Sequence, residues 1–300
     1  MCGLLGRSKQ SFYKYQEVRV MERHMHEEMA VDFAREVRAQ DPQIGGTKIW
    51  LMSKKEFPAD CSIGRDRFLN LIDRNELKIR QRSRKPRTTD STHGLPVYPD
   101  LTKRLIPQRI NQLWVSDITY ISIQPRNGPR GFCFLSLVLD AYSEEIIGWG
   151  VGPTLATCYP IHALKMALLR LKDVPNEQRH LIHHSDRGVQ YASAQYIRLL
   201  KDNNIQVSMT ESGDPKDNAK AERINNTVKN ELFKGQEFGS IREVKEALQK
   251  AVSFYNERRP HMSLDMMTPK EAAQMQGSIK KRWHSYKEDF IRREQNNLRP

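Results

Sequence analysis

The chain has 300 residues, 38% of them hydrophobic, which is enough for packed cores in about two domains, and its 49 Lys and Arg outweigh 36 Asp and Glu to give a net charge of +13. A surplus of that size favours a polyanionic partner. The longest apolar stretch, FCFLSLVLDAYS from Phe132, is too short to span a bilayer, and no cleavable leader pattern is present, so a membrane protein or an exported one is not expected.

The four cysteines (Cys2, Cys61, Cys133, Cys158) form no CxxC pair and suggest reduced thiols in a cytosol. His24 with His26 and His183 with His184 lack cysteines at zinc-finger spacing, so no zinc module is expected.

In chain order, helical patterns come first, around 15–40, 45–56 and 62–75, separated by turn material at Asp41-Pro42 and Phe57-Pro58. They predict a small all-helical module over 1–77, with Lys48, Arg65 and Arg67 as its candidate DNA contacts. A basic linker over 78–112 follows. Its KIRQRSRKPR segment places Lys78, Arg80, Arg82, Arg84, Lys85 and Arg87 in ten positions without one acid. Such a run is either a solvated tether or a strip that follows a phosphate backbone, and its position between two folded parts favours the second, through Arg80, Arg82, Arg84 and Lys85.

From 113 onward, strands are predicted at 113–123, 131–140 and 144–151, then a helix at 157–172, a strand at 180–185, a helix at 192–203, a short strand at 205–208 and a further helix. This β-β-β-α-β-α-β-α order resembles the ribonuclease-H-like α/β fold, in which the first and fourth strands lie side by side. A catalytic core is expected over 113–275 and a basic tail over 276–300, where Lys280, Lys281, Arg282, Trp283, Arg292 and Arg293 either bind DNA or are disordered.

Three acids stand out on this frame. Asp117 interrupts an apolar strand, where a carboxylate is costly unless paired or metal-bound. Asp186 ends LIHHS at the turn-forming Arg187-Gly188, and Glu222 lies on the helix that follows the last strand, after 35 intervening residues (187 to 221). Lys229 falls seven positions beyond Glu222, two helical turns along the same face, and is the candidate for a phosphate contact beside the cleavage point. Carboxylates so spaced suit two Mg²⁺ (or Mn²⁺) ions, which are hard, prefer oxygen ligands, and can stabilise both the attacking and the leaving oxygen of a displacement at phosphorus. Asp140 is read mainly as a strand-terminating turn residue, and Asp217 and Asn218 as caps of the helix that carries Glu222. Glu231 lies off the Glu222 face.

WVSDITYI (114–121), HSDRGVQY (184–191), DPKDNAKAERINNTVKNEL (214–232) and YNERRPHMSLDMMTP (255–269), with IGGTKIW (44–50) upstream, together resemble the orfB transposase of the bacterial IS-three insertion-element family, whose core is integrase-like. The resemblance spans most of the chain. It implies a DDE transposase with Asp117, Asp186 and Glu222 as catalytic metal ligands, cutting double-stranded DNA at element ends and joining the 3′-OH to target DNA. It also implies self-association on DNA, a place in the bacterial cytoplasm at the nucleoid, and an upstream-frame orfA segment as a candidate partner. In the YN-RPH block, Arg259 would add a phosphate contact. The alternatives are a ribonuclease-H-type nuclease that does not join, and a transposase-derived DNA-binding regulator without catalysis.

Overall fold

The computed structural model describes residues 17–79, 94–126, 128–175, 178–211, 218–285 and 288–291. The expected contacts Arg80, Arg82, Arg84 and Lys85, the expected cap Asp217, and Arg292 and Arg293 of the tail lie outside the described residues. Two compact units divide the chain, Met1–Arg82 and Ser83–Pro300.

The first unit is a set of three helices, α1 (Glu17–Gln40), α2 (Gly46–Glu56) and α3 (Arg65–Arg74). Each offers one apolar stripe at helical spacing: Ala30, Phe33, Ala34 and Val37 from α1, Ile49 and Met52 from α2, Phe68, Leu71 and Ile72 from α3, all buried. Phe33 meets Phe57 edge to face at 5.2 Å. Trp50 ties the connection between α2 and α3 by donating its indole N–H to the Ile63 carbonyl at 2.8 Å.

The second unit is built on a five-stranded sheet in the order β3-β2-β1-β4-β5, with β1 (Leu113–Ile123), β2 (Gly131–Asp140), β3 (Ile146–Gly152), β4 (Ile182–Ser185) and β5 (Gln206–Met209). β1 is antiparallel to β2 and β2 to β3, whereas β1, β4 and β5 run parallel. The predicted adjacency of first and fourth strands is therefore present, and the architecture is the ribonuclease-H-like integrase core. One face of the sheet carries α4 (Cys158–Leu168) and α6 (Ala194–Asp202), the latter preceded by the short α5 (Val189–Ala192), over a core containing Trp114, Val138, Leu164, Tyr191, Tyr196 and Leu200. On the same unit, α7 (Ala219–Thr227) packs against β1 and β2, and α8 (Ile241–Glu257) against β3 and α9 (Pro269–Ala272).

α4 lies so close to β3 that a Cβ on Gly148 would sit 2.0 Å from the Ala163 carbonyl oxygen, and one on Gly150 2.3 Å from that of Tyr159. Only glycine lets a helix backbone approach a strand this closely. After Thr227 the helix widens into a π turn over Val228–Leu232, closed by the Phe233 amide donating five residues back to the Val228 carbonyl at 2.9 Å. α8 starts at Ser240, whose hydroxyl accepts from the Glu243 amide.

Asp140 does close the β2–β3 turn. Its carboxylate accepts from the amides of Asn111, Tyr142 and Ser143 and from the Ser143 hydroxyl, and burial pushes its pKa up. The described part of the basic tail packs on the core: Gly277 donates to the Gln108 carbonyl at 2.7 Å, Arg282 N–H to that of Met262 at 2.9 Å, and Ile291 is buried. No described helix is long and apolar enough to cross a membrane.

Candidate active site

The parallel pairing of β1 with β4 ends at Ser116 opposite Ser185, so Asp117 and Asp186 are the next residue on each of two neighbouring strands. A parallel register alternates faces in step, and both carboxylates leave the sheet at one place. Glu222 enters from the first turn of α7, the helix packed against β1. Asp117 and Glu222 interact electrostatically, and Asp117 and Asp186 more strongly still.

Burial, followed by the charge of Asp186 and, less, that of Glu222, pushes the Asp117 carboxyl up to about 7, against the opposing hydrogen bonds from the Ile118 amide and the Asn225 side chain. Asn225 Nδ2 donates to Asp117 Oδ2 at 2.8 Å. Asp186 Oδ1 accepts from the Gly188 amide at 2.9 Å, which orients it across the turn. Arg187 bonds the carbonyls of Thr210 and Glu211, pinning that turn to the end of β5.

Asn218 stands at the start of α7 but does not cap it with its side chain. Its Nδ2 instead donates to the Ser116 carbonyl at 3.0 Å, clamping the helix to β1 one residue before Asp117. The expected capping role fails because the Asn218 backbone, at φ -124° and ψ 34°, is not in the extended conformation that brings a cap's side-chain oxygen to the first helical amides, and Nδ2 is held by β1 instead. The Oδ1 atoms of Asn218 and Asn225 are buried without a hydrogen-bond partner.

The site is thus rich in oxygen acceptors, and burial together with the neighbouring acids raises the Asp117 pKa. Such a donor set fits a hard divalent cation rather than a soft one. Among the described residues, however, no three His, Cys, Asp or Glu side chains converge tightly enough to close round an ion.

Behind the carboxylates lies a buried polar layer. His183 Nε2 is hydrogen-bonded to Ser116 Oγ at 2.8 Å and to Tyr196 OH at 3.0 Å, and burial lowers its pKa to about 3, leaving a neutral ring. His184 Nδ1 meets Ser208 Oγ at 2.8 Å and lies 3.8 Å from buried Asp100. Both rings are buried and hydrogen-bonded to hydroxyl groups.

The expected DNA contacts fall into different settings. Lys229, in the π turn, holds its ammonium 3.7 Å from the centroid of the Tyr120 ring. Arg65 is exposed and bonded to its neighbour Asp66, Arg67 is paired with Glu27, and Lys48 is half-buried on α2. Arg259 is a correction: only 4% exposed, it pairs with Glu231 and lies against the Tyr255 ring, so it is enclosed rather than presented to phosphate. Glu231, off the Glu222 face as expected, finds its purpose in that pair. Sequence reasoning missed Asn225, although its place three residues after Glu222 put it on the same helical face.

Two family models described as "Integrase core domain" match the chain at residues 107–215 and 203–269. A Mycobacterium tuberculosis protein named as a transposase for insertion sequence element IS986/IS6110 is 34% identical over 76% of this chain and 80% of its own length. The insertion element IS600 31 kDa protein of Shigella sonnei is 29% identical over 90% of this chain and 96% of its own. Transposase InsF for insertion sequence IS3A, from Escherichia coli, is 35% identical over 60% of each.

Proposed function

The chain belongs to the integrase-core transposases of IS3-type insertion sequences, and from that premise we propose that Asp117, Asp186 and Glu222 are its catalytic carboxylates. The observation that carries this reading is the β1–β4 register, which sets Asp117, within β1, beside Asp186 just past the end of β4, with Asn225 of the Glu222 helix bonded to Asp117.

The three carboxylates would hold two Mg²⁺ or Mn²⁺ ions, which supply Lewis-acid stabilisation of the attacking and leaving oxygens in each displacement at phosphorus. The protein's own part is positional. Asn225 fixes the rotamer of Asp117, the Gly188 amide fixes Asp186, and Asn218 fixes the helix bearing Glu222 against β1. No side chain need become covalently attached to DNA, because water and then the freed 3′-OH are the nucleophiles.

DNA is gripped, in this proposal, by Lys229 beside the carboxylates, by Lys48, Arg65 and Arg67 in the helical unit, and by Arg80, Arg82, Arg84 and Lys85 in the basic run. Joining one mobile segment requires both of its ends, so we further propose assembly of several chains on paired ends, with an upstream orfA segment as an additional partner.

The test is a strand-transfer assay with Mg²⁺ and end-sequence DNA, in which wild-type chain should yield joined product. Asp117→Asn, Asp186→Asn and Glu222→Gln should each lower cleavage and joining at least a hundredfold, roughly 3 kcal/mol of barrier, while DNA binding holds. A variant retaining more than that would remove its residue from the set, and cleavage without joining would point to a nuclease.

A further inference from the structure

β1 outruns β4. Its last pairing partner on that side is Ser185, opposite Ser116, so no described strand covers that edge of β1 from Ile118 to Ile123. Two large aromatic side chains remain in the open along this stretch, Tyr120 at 51% exposure and Phe132, on the neighbouring β2, at 53%. They pack edge to face, centroids 5.3 Å apart and planes at 82°. The Lys229 ammonium lies over Tyr120, 3.7 Å from the ring centroid.

Exposed aromatic residues scattered singly need no explanation, but a contacting pair with a cation lodged on it is a different object. Aromatic faces beside a cation are what proteins present to unpaired bases: the ring stacks on the base and the cation meets the flanking phosphate. Position adds a second argument. The Lys229 that lies over Tyr120 follows Glu222 by seven residues, and Tyr120 itself, turned to the other face of the sheet by its odd offset, lies three residues past Asp117 along β1, about 10 Å at 3.3 Å per residue. That is roughly three nucleotides along a DNA strand at 3.4 Å each.

We propose that Tyr120, Phe132 and Lys229 form a stacking site for an unpaired nucleobase within about three nucleotides of the phosphate held at the carboxylates. The proposal rests on the reading of that site as the place of DNA cleavage. Every base has a π face, so the site takes a base of any identity and selects for an opened duplex end over a closed one. It gives the enzyme a means of holding a frayed strand while its terminal phosphodiester lies among the acids.

The experiment uses the full chain without divalent metal, so that no chemistry intervenes. Binding is measured by fluorescence anisotropy for a duplex ending in three unpaired 3′ thymidines and for the same duplex ending in three abasic residues. Wild type should prefer the base-bearing overhang by about 5- to 150-fold, the equivalent of one stacked base. Tyr120→Ala and Phe132→Ala should each cut that preference severalfold and together abolish it, Tyr120→Phe should retain it, and affinity for the abasic duplex should hold in all four. A 2-aminopurine placed in the overhang should be quenched on binding wild type, a readout that needs no variant to fold. Equal affinity of wild type for the two overhangs, or a preference that survives in the double alanine variant, would overturn the proposal. Base preference in a chain that fails to join DNA would spare this site and sink the transposition reading instead; joining without base preference would do the reverse.

Discussion

Asn225 Nδ2 donates a hydrogen bond to Asp117 Oδ2 across 2.8 Å, joining the helix that carries Glu222 to the strand that carries the first aspartate. A carboxylate meant to receive a cation gains from being oriented by a hydrogen bond from a neighbouring side chain. Asn225→Ala should therefore leave the fold intact but raise the Mg²⁺ concentration needed for half-maximal strand transfer by about 10- to 100-fold. The check is a Mg²⁺ titration of strand transfer, and an unchanged midpoint would reduce Asn225 to a packing residue.

Gly148 is the place where β3 and α4 touch backbone to backbone, and a methyl group there would meet the Ala163 carbonyl oxygen at 2.0 Å. Because backbone cannot swing aside as a side-chain tip can, Gly148→Ala should cost at least about 1–3 kcal/mol. Gly45→Ala, with nothing within 4 Å of the new methyl, should be nearly neutral. Urea unfolding of the two variants decides it, and equal stabilities would contradict the close approach.

Arg259 belongs to the core's charge balance, paired with Glu231 and only 4% exposed. Truncation leaves Glu231 without its cation, so Arg259→Ala should destabilise the fold by a few kcal/mol, about 3. It should not alter the dependence of DNA binding on salt. Neutralising Arg80, Arg82, Arg84 and Lys85 together should flatten that dependence by about 0.9 in log–log slope for each phosphate that no longer meets a cation. The arginine is misplaced if its removal flattens the slope as well.

His183 makes stability depend on acid. Its folded pKa is depressed to about 3 from 6.5, so below 6.5 the unfolded chain binds a proton that the folded chain refuses. Stability present above pH 6.5 is lost as pH falls toward 3, at up to about 1.4 kcal/mol per unit from this group. Thermal melts of wild type and His183→Gln should show the variant less stable near neutrality and less sensitive through that window. Parallel curves would mean that the ring is not shielded as described.

Much of this was legible because hydrophobic period reports faces. The strands at 113–123 and 131–140 were readable to the residue, and the adjacency of β1 and β4 was implied by the resemblance of the element order to the ribonuclease-H-like fold. What period cannot report is which of several reachable partners a polar side chain takes. Asn218 carries a typical capping side chain and spends it on the Ser116 carbonyl; Arg259 sits in a basic, polar block and turns inward to Glu231. The three glycines at 148, 150 and 152 did carry a signal, a two-residue period on one strand face, which marks where a helix comes unusually near.

The register of β1 on β4 makes the site a matter of phase. Delete one residue between Leu113 and Ser116, and Ile118 takes the place of Asp117 while every side chain of the strand beyond the cut exchanges faces. Delete one from residues 153–157, between β3 and α4, and no strand changes its phase. Tolerance to single-residue loss should therefore fall abruptly at the start of β1, and a scan of such deletions scored for DNA joining would draw that boundary.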